Sequence, residues 1–163
     1  MKILIIGSSS DIAQNLVLEK KNLFDFIEVS SLTGFNVQDE ETYPAIKEGI
    51  DGLVYFPGSI NLKPFSNLKL KDFQKDYEIN FLGLIKVLKH YQKDLNSNAS
   101  IVFISSIAAS VGMPFHSSIS SSKSAVEGLC RSLAAEWAPK VRVNCIAPSL
   151  IKTKLSKRLF RNE

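Results

Sequence analysis

Five short apolar runs alternate with stretches whose apolar residues recur at helical spacing, and this alternation constrains the fold more than any other feature of the chain. The runs fall at 3–6, 26–29, 53–56, 101–104 and 141–146, each of strand length. Most are nearly continuous hydrophobes, as parallel strands covered on both faces require. Between them, Ile12, Ala13, Leu16 and Val17 form one helical stripe, and Phe81, Leu84, Ile85, Leu88, Tyr91 and Leu95 form a second. Val126, Leu129, Cys130, Leu133, Ala134 and Trp137 form the third. Strands separated by helices imply right-handed crossovers, and so a doubly wound parallel sheet in a three-layer α/β/α arrangement. With 163 residues, no repeat and no Pro/Gly-rich linker, the chain is expected to be a single domain over 1–163.

Composition excludes several classes of function. No apolar stretch approaches the roughly 20 residues that cross a bilayer, and the opening residues do not form a secretory signal, so the expectation is a cytoplasmic protein without a membrane partner. Cys130, Cys145, His90 and His116 supply neither a disulfide framework nor a metal-ligand set. The formal charge is +4, yet residues 1–151 carry 15 basic and 15 acidic side chains. The excess belongs to Lys152, Lys154, Lys157, Arg158 and Arg161, opposed only by Glu163. A balanced body and the lack of any recognition motif speak against nucleic acid.

In Ile5-Ile6-Gly7-Ser8-Ser9-Ser10-Asp11-Ile12-Ala13 an apolar strand ends at a glycine, passes small polar residues and enters a helix. A phosphate fits such a turn, because small side chains let backbone N–H groups approach it and the helix N-terminus adds partial positive charge. An ordinary strand-to-helix turn, capped by Ser10 or Asp11, has the same pattern. Asp11 would repel a pyrophosphate unless turned away into the cap.

Four polar residues stand on or beside apolar faces. Asn80 lies seven residues after Phe73, three after Tyr77 and four before Leu84, on the buried side of its helix. A lone buried amide is most often structural. Lys123 precedes Val126 by three and Cys130 by seven, so its ammonium must find an acceptor or snorkel to solvent. Ser105 and Ser106 follow the run at 101–104, where serines usually form turns. The topology nevertheless brings Gly7, Asn80, Ser106 and Lys123 to one rim, the carboxyl edge of the sheet, where open α/β sheets bind ligands.

These residues resemble the short-chain dehydrogenase/reductase family over nearly the whole chain. The family's G-x-x-x-G-x-G turn is matched by Gly7, Asp11 and Ala13, so only the first glycine is kept. Its Asn-Asn-Ala-Gly is matched by Tyr55-Phe56-Pro57-Gly58, its helix asparagine by Asn80, and its Ile-Ser-Ser strand end by Ile104-Ser105-Ser106. Ser122-Lys123-Ser124-Ala125-Val126-Glu127-Gly128-Leu129 and Val141-Arg142-Val143-Asn144-Cys145-Ile146-Ala147-Pro148 are the most specific matches. The resemblance implies a Rossmann fold, a small-molecule substrate and hydride exchange with NADP or NAD. Ser30 and Ser31, where an acidic residue would exclude a 2′-phosphate, tilt the choice slightly to NADP.

Carried over by position, Ser106 would hold the substrate oxygen, Lys123 the ribose, and Asn80 an ordered water. Gly7, Ser9, Ser10, Ile12, Ser30, Ser31, Asn36, Val37, Phe56, Pro57, Gly58, Pro148, Ile151 and Thr153 would join Lys123 around the cofactor. The family's proton-donating tyrosine, four residues before the lysine, is replaced by Ile119. His116, a turn earlier, is one candidate substitute, and a cofactor-binding scaffold without catalysis is the alternative reading. Between Ser31 and Leu53 the chain is too short for the family's usual helix and third strand, so residues 35–39 are expected to supply only a vestige of that strand and its adenine-contacting loop. The usual substrate-covering region after Thr153 is mostly missing; the basic stretch there implies a solvated helix or attraction for an anionic ligand. Family members pair helices matching 80–95 and 120–137, which implies a homodimer or homotetramer.

Overall fold

The computed structural model describes residues 1–154 with Ser156 and Lys157. The elements in chain order are β1 (Lys2–Ile6), α1 (Asp11–Lys20), β2 (Asp25–Val29), β3 (Ile50–Tyr55), α2 (Leu70–Tyr77), α3 (Gly83–Tyr91), β4 (Leu95–Ile104), α4 (Ser117–Trp137) and β5 (Arg142–Ile146). The strands form one parallel sheet in the order β2-β1-β3-β4-β5. From β1 the chain runs first to β2 on one side and then to β3 on the other, so the carboxyl ends of β1 and β3 flank the topological switch point.

The apolar runs became strands because both faces of the sheet are covered. Leu4, Ile5, Ile6, Leu53, Ile101 and Phe103 are buried completely or nearly so, while Leu84, Val87, Val126 and Cys130 pack from α3 and α4. At roughly 1.5–3 kcal/mol per fully buried large apolar side chain, this layer dominates the stability of the fold.

Several strand boundaries differ from the apolar runs: β3 and β4 begin earlier, at Ile50 and Leu95, and Val141 precedes β5. Leu95 continues the period of the second stripe but opens β4, where it pairs with Ile50 of β3. A tight turn at Gln92–Asp94 breaks the helix first, and burial between strands then outweighs the helical spacing. Phe56 lies just past β3, although its amide still donates to the Ile6 carbonyl at 2.9 Å.

Residues 30–49 contain no strand, and β2 is the sheet edge. Short turns at Ser31–Thr33 and Glu40–Thr42 flank a single antiparallel bridge between Asn36 and Asp39. An aromatic stack compensates for the missing element: Phe35 lies on Tyr43 at 4.6 Å and Tyr43 on Tyr91 at 6.0 Å. The Tyr43 hydroxyl donates to the Val37 carbonyl at 2.7 Å and the Lys86 ammonium to that of Gln38 at 2.8 Å. The first bond closes the loop on itself and the second ties it to α3.

Candidate active site

A cleft of about 830 Å³ opens over the carboxyl edge of the sheet. Its first wall is the turn after β1. Gly7 has φ +81°, a left-handed conformation that favours glycine, and a Cβ there would sit 2.9 Å from Pro57 Cδ. Ser10 caps α1 by accepting the Ala13 amide at 3.2 Å. Asp11 is not the cap and lines the cleft together with Lys154: its carboxylate accepts the Lys154 amide at 2.6 Å and faces the Lys154 ammonium at 3.4 Å. Both interactions hold its carboxyl below the usual carboxylate range.

Gly7, Ser9, Ser10, Ile12, Ser30, Ser31, Asn36 and Val37 line the cleft. So do Phe56, Pro57, Gly58, Asn80, Ser106, Ile119, Lys123 and Thr153. Pro148 and Ile151 are outside this lining. The Pro148 carbonyl is turned inward to accept the Ile107 amide at 3.1 Å, and the Ile151 side chain is exposed. His116 is not part of the cleft either; its Nδ1 lies 2.6 Å from the Pro114 carbonyl in the loop before α4. Arg158, Arg161 and Glu163 of the basic stretch lie outside the described residues.

Lys123 is 7% exposed, and its ammonium donates to the Ile104 carbonyl at 2.7 Å. Burial pulls its pKa down to about 8, opposed by the nearby Cys145 and Asp76. Snorkelling to solvent is thus not the outcome. Ser106 accepts the Ala108 amide at 3.2 Å, which leaves its hydroxyl proton to be donated elsewhere. Its neighbour Ser105 points the other way and donates to Glu127 Oε1 at 2.7 Å, pinning β4 to α4. Ile119, 4% exposed, presents a hydrocarbon side chain one helical turn before Lys123.

Asn80 sits in a single π-helical turn, Glu78–Leu82, between α2 and α3. Its Nδ2 donates to the Asp76 carbonyl at 2.8 Å and to Ser59 Oγ at 3.1 Å. Its Oδ1 is buried without a hydrogen-bond partner. Such widened turns occur frequently at functional sites.

Asp76 was not singled out by sequence reasoning and is the most unusual group near the cleft. It is 0% exposed, and two hydroxyls donate to its carboxylate: Ser59 to Oδ1 at 2.6 Å and Ser118 to Oδ2 at 2.6 Å. A signal was present, since Asp76 lies three residues after Phe73 and four before Asn80, on the same buried face.

Comparison with known proteins gives the family and the fold. A family model described as Enoyl-(Acyl carrier protein) reductase matches residues 37–163. The chain belongs to the short-chain dehydrogenase/reductase family. Hydroxynaphthalene reductase arp2 of Aspergillus fumigatus is 32% identical over 107 residues, which are 65% of this chain but 39% of that protein. Human dehydrogenase/reductase SDR family member 4 is 42% identical over 73 residues, 44% of this chain and 26% of that protein. The match therefore spans well under half the length of these short-chain dehydrogenase/reductase relatives.

Among solved structures, a small-chain dehydrogenase in complex with NADPH superposes with a TM-score of 0.89 at 23% identity, covering 96% of this chain and 74% of that one. ElxO with NADP bound does so with a TM-score of 0.78 at 29% identity, covering 96% and 76%. No described helix is long and apolar enough to cross a membrane. Among the described residues, no cluster of His, Cys, Asp and Glu is placed to hold a metal ion.

Proposed function

We propose that this chain is an NADP(H)-binding oxidoreductase domain that moves hydride between the cofactor and a small carbonyl or alcohol. The observation that carries the proposal is Lys123: an ammonium at the cleft floor, bonded to one carbonyl, with donors left for a ribose hydroxyl. The space beside it suits that sugar. A Cβ on Gly58 would lie 3.2 Å from Asn80 Oδ1 and 3.7 Å from Lys123 Nζ, so the glycine preserves a hollow flanked by an unpaired acceptor and a cation. A hydroxyl, which both donates and accepts, complements the pair.

The turn from Gly7 to Ile12 would hold the pyrophosphate at the α1 N-terminus, with Asp11 neutralised by Lys154. Ser30 and Ser31 leave a 2′-phosphate unopposed, and the cofactors of the two solved relatives support NADP over NAD. When bound, the nicotinamide supplies or accepts the hydride. Ser106 donates its hydroxyl proton to the substrate oxygen and orients it. Residues 1–163 act as one cofactor domain, and pairing of copies through α3 and α4 follows from the family.

Fluorescence titration with NADPH and NADH tests the reading. Saturable binding with NADPH preferred is expected, and Lys123→Met should weaken it about tenfold or more, the loss of a charge-assisted hydrogen bond. Absence of binding to either nucleotide overturns it. One observation favours a second reading, a cofactor-binding protein without chemistry: Ile119 has no proton to give. Turnover by Ile119→Tyr alone, with none by the natural chain, selects that reading.

A further inference from the structure

We propose that Ser59 is the group that exchanges the substrate proton in this site, with Asp76 as its buried proton acceptor, in place of the tyrosine that Ile119 displaces. The inference rests on the oxidoreductase reading above. Ser59 lines the same cleft as Ser106, Ile119 and Lys123, whereas Asp76 lies behind it, out of contact with solvent.

The hydrogen bonds fix the direction of proton flow. A serine hydroxyl has one proton and two lone pairs. Ser59 commits its proton to Asp76 Oδ1 at 2.6 Å and one lone pair to Asn80 Nδ2 at 3.1 Å. One lone pair remains, and it can accept a proton from an alcohol in the cleft. Asp76 makes no ion pair within 4 Å among the described residues. Its carboxylate is satisfied only by the Ser59 and Ser118 hydroxyls. Burying a carboxylate without a cation in contact is costly, and an apolar residue would pack at this position without that cost. Retaining an acid one hydroxyl away from the cleft is explained by proton transfer.

The step balances. During alcohol oxidation the carbon gives its hydride to bound NADP⁺, and the O–H bond breaks as its proton passes to Ser59 Oγ. The Ser59 O–H bond breaks in turn, and its proton forms a bond with Asp76 Oδ1. The products are a carbonyl, NADPH, an intact serine and a protonated Asp76. For carbonyl reduction, water in the open cleft first passes a proton through Ser59 to the Asp76 carboxylate; the carbonyl carbon then takes hydride from NADPH as its oxygen takes the Ser59 proton, and Asp76 returns its proton to Ser59.

The test measures NADPH oxidation with an activated 1,2-diketone, together with NADPH affinity by fluorescence and the melting temperature. The set comprises the natural chain, Ser59→Ala, Asp76→Asn, Ile119→Tyr and the Ser59→Ala/Ile119→Tyr double variant. Ser59→Ala and Asp76→Asn should each lower kcat by about 10²-fold, the scale of a lost general acid or base, while NADPH affinity stays within about twofold. In the Ile119→Tyr background the restored hydroxyl should make Ser59 dispensable, so the double variant should match Ile119→Tyr within about twofold. An equal loss in both backgrounds assigns Ser59 a structural role and overturns the proposal. So do unchanged rates in both single variants, or turnover by Ile119→Tyr with none by the natural chain. NADPH binding without turnover in any variant, Ile119→Tyr included, instead defeats the oxidoreductase reading on which the proposal rests. Because Asp76→Asn preserves shape, a folding defect confined to Ser59→Ala leaves the kcat comparison decisive.

Discussion

Lys123 contributes in a way that can be measured without any ligand. Its pKa falls from 10.5 to about 8 on folding because burial disfavours the ammonium, so between those values the unfolded chain binds more protons than the folded one. Stability attributable to this residue should rise as pH increases through that window, by up to about 3 kcal/mol. Denaturant midpoints from pH 7.5 to 10 should increase for the natural chain relative to Lys123→Met; parallel curves would show that the burial penalty is absent. Gly7→Ala tests the turn. Its positive φ and the 2.9 Å approach of a Cβ to Pro57 predict a loss of about 1–3 kcal/mol, read from thermal unfolding. Asn80 and Lys123 were legible in sequence because a polar group on an apolar stripe must be paired. Asp76 obeys the same rule, although its charged neighbours Lys75 and Glu78 interrupt the apolar pattern around it.

Among the elements, the strands were legible because a sheet covered on both faces demands short continuous hydrophobic runs, and their length separates them from the longer helical stripes. Helix ends were less so. The period through Leu88 and Tyr91 carries on to Leu95 by coincidence of spacing, and only its pairing with Ile50 shows that the chain has changed direction. The widened turn around Asn80 has no sequence signature; in the fold it packs against α4 beside α2. Ser10 was one of two candidate caps, and the structure selects it. Ser10→Ala should cost about 1 kcal/mol in a denaturation experiment. The other candidate, Asp11, ties α1 to the loop after β5. Asp11→Ala should raise amide exchange across residues 150–154 severalfold while leaving β1 and β3 protected, as read by hydrogen-exchange mass spectrometry. Unchanged exchange would show that the loop is held by other contacts.

For the whole molecule, the sheet suffices to present a dinucleotide cleft in a chain that matches only 39% of its Aspergillus relative. If NADPH selects the folded state, a concentration near 100 times Kd should add about 2.7 kcal/mol to the unfolding free energy. For a chain of 163 residues this is a rise of roughly 5–10 °C in Tm. No shift would mean that the cleft does not bind this nucleotide. The contact between Asp11 and Lys154 joins positions separated by 143 residues, so it ties the loop after β1 to the loop after β5 beside the cleft that both residues line. Part of that tie is an ion pair, so added salt should loosen the two loops from each other.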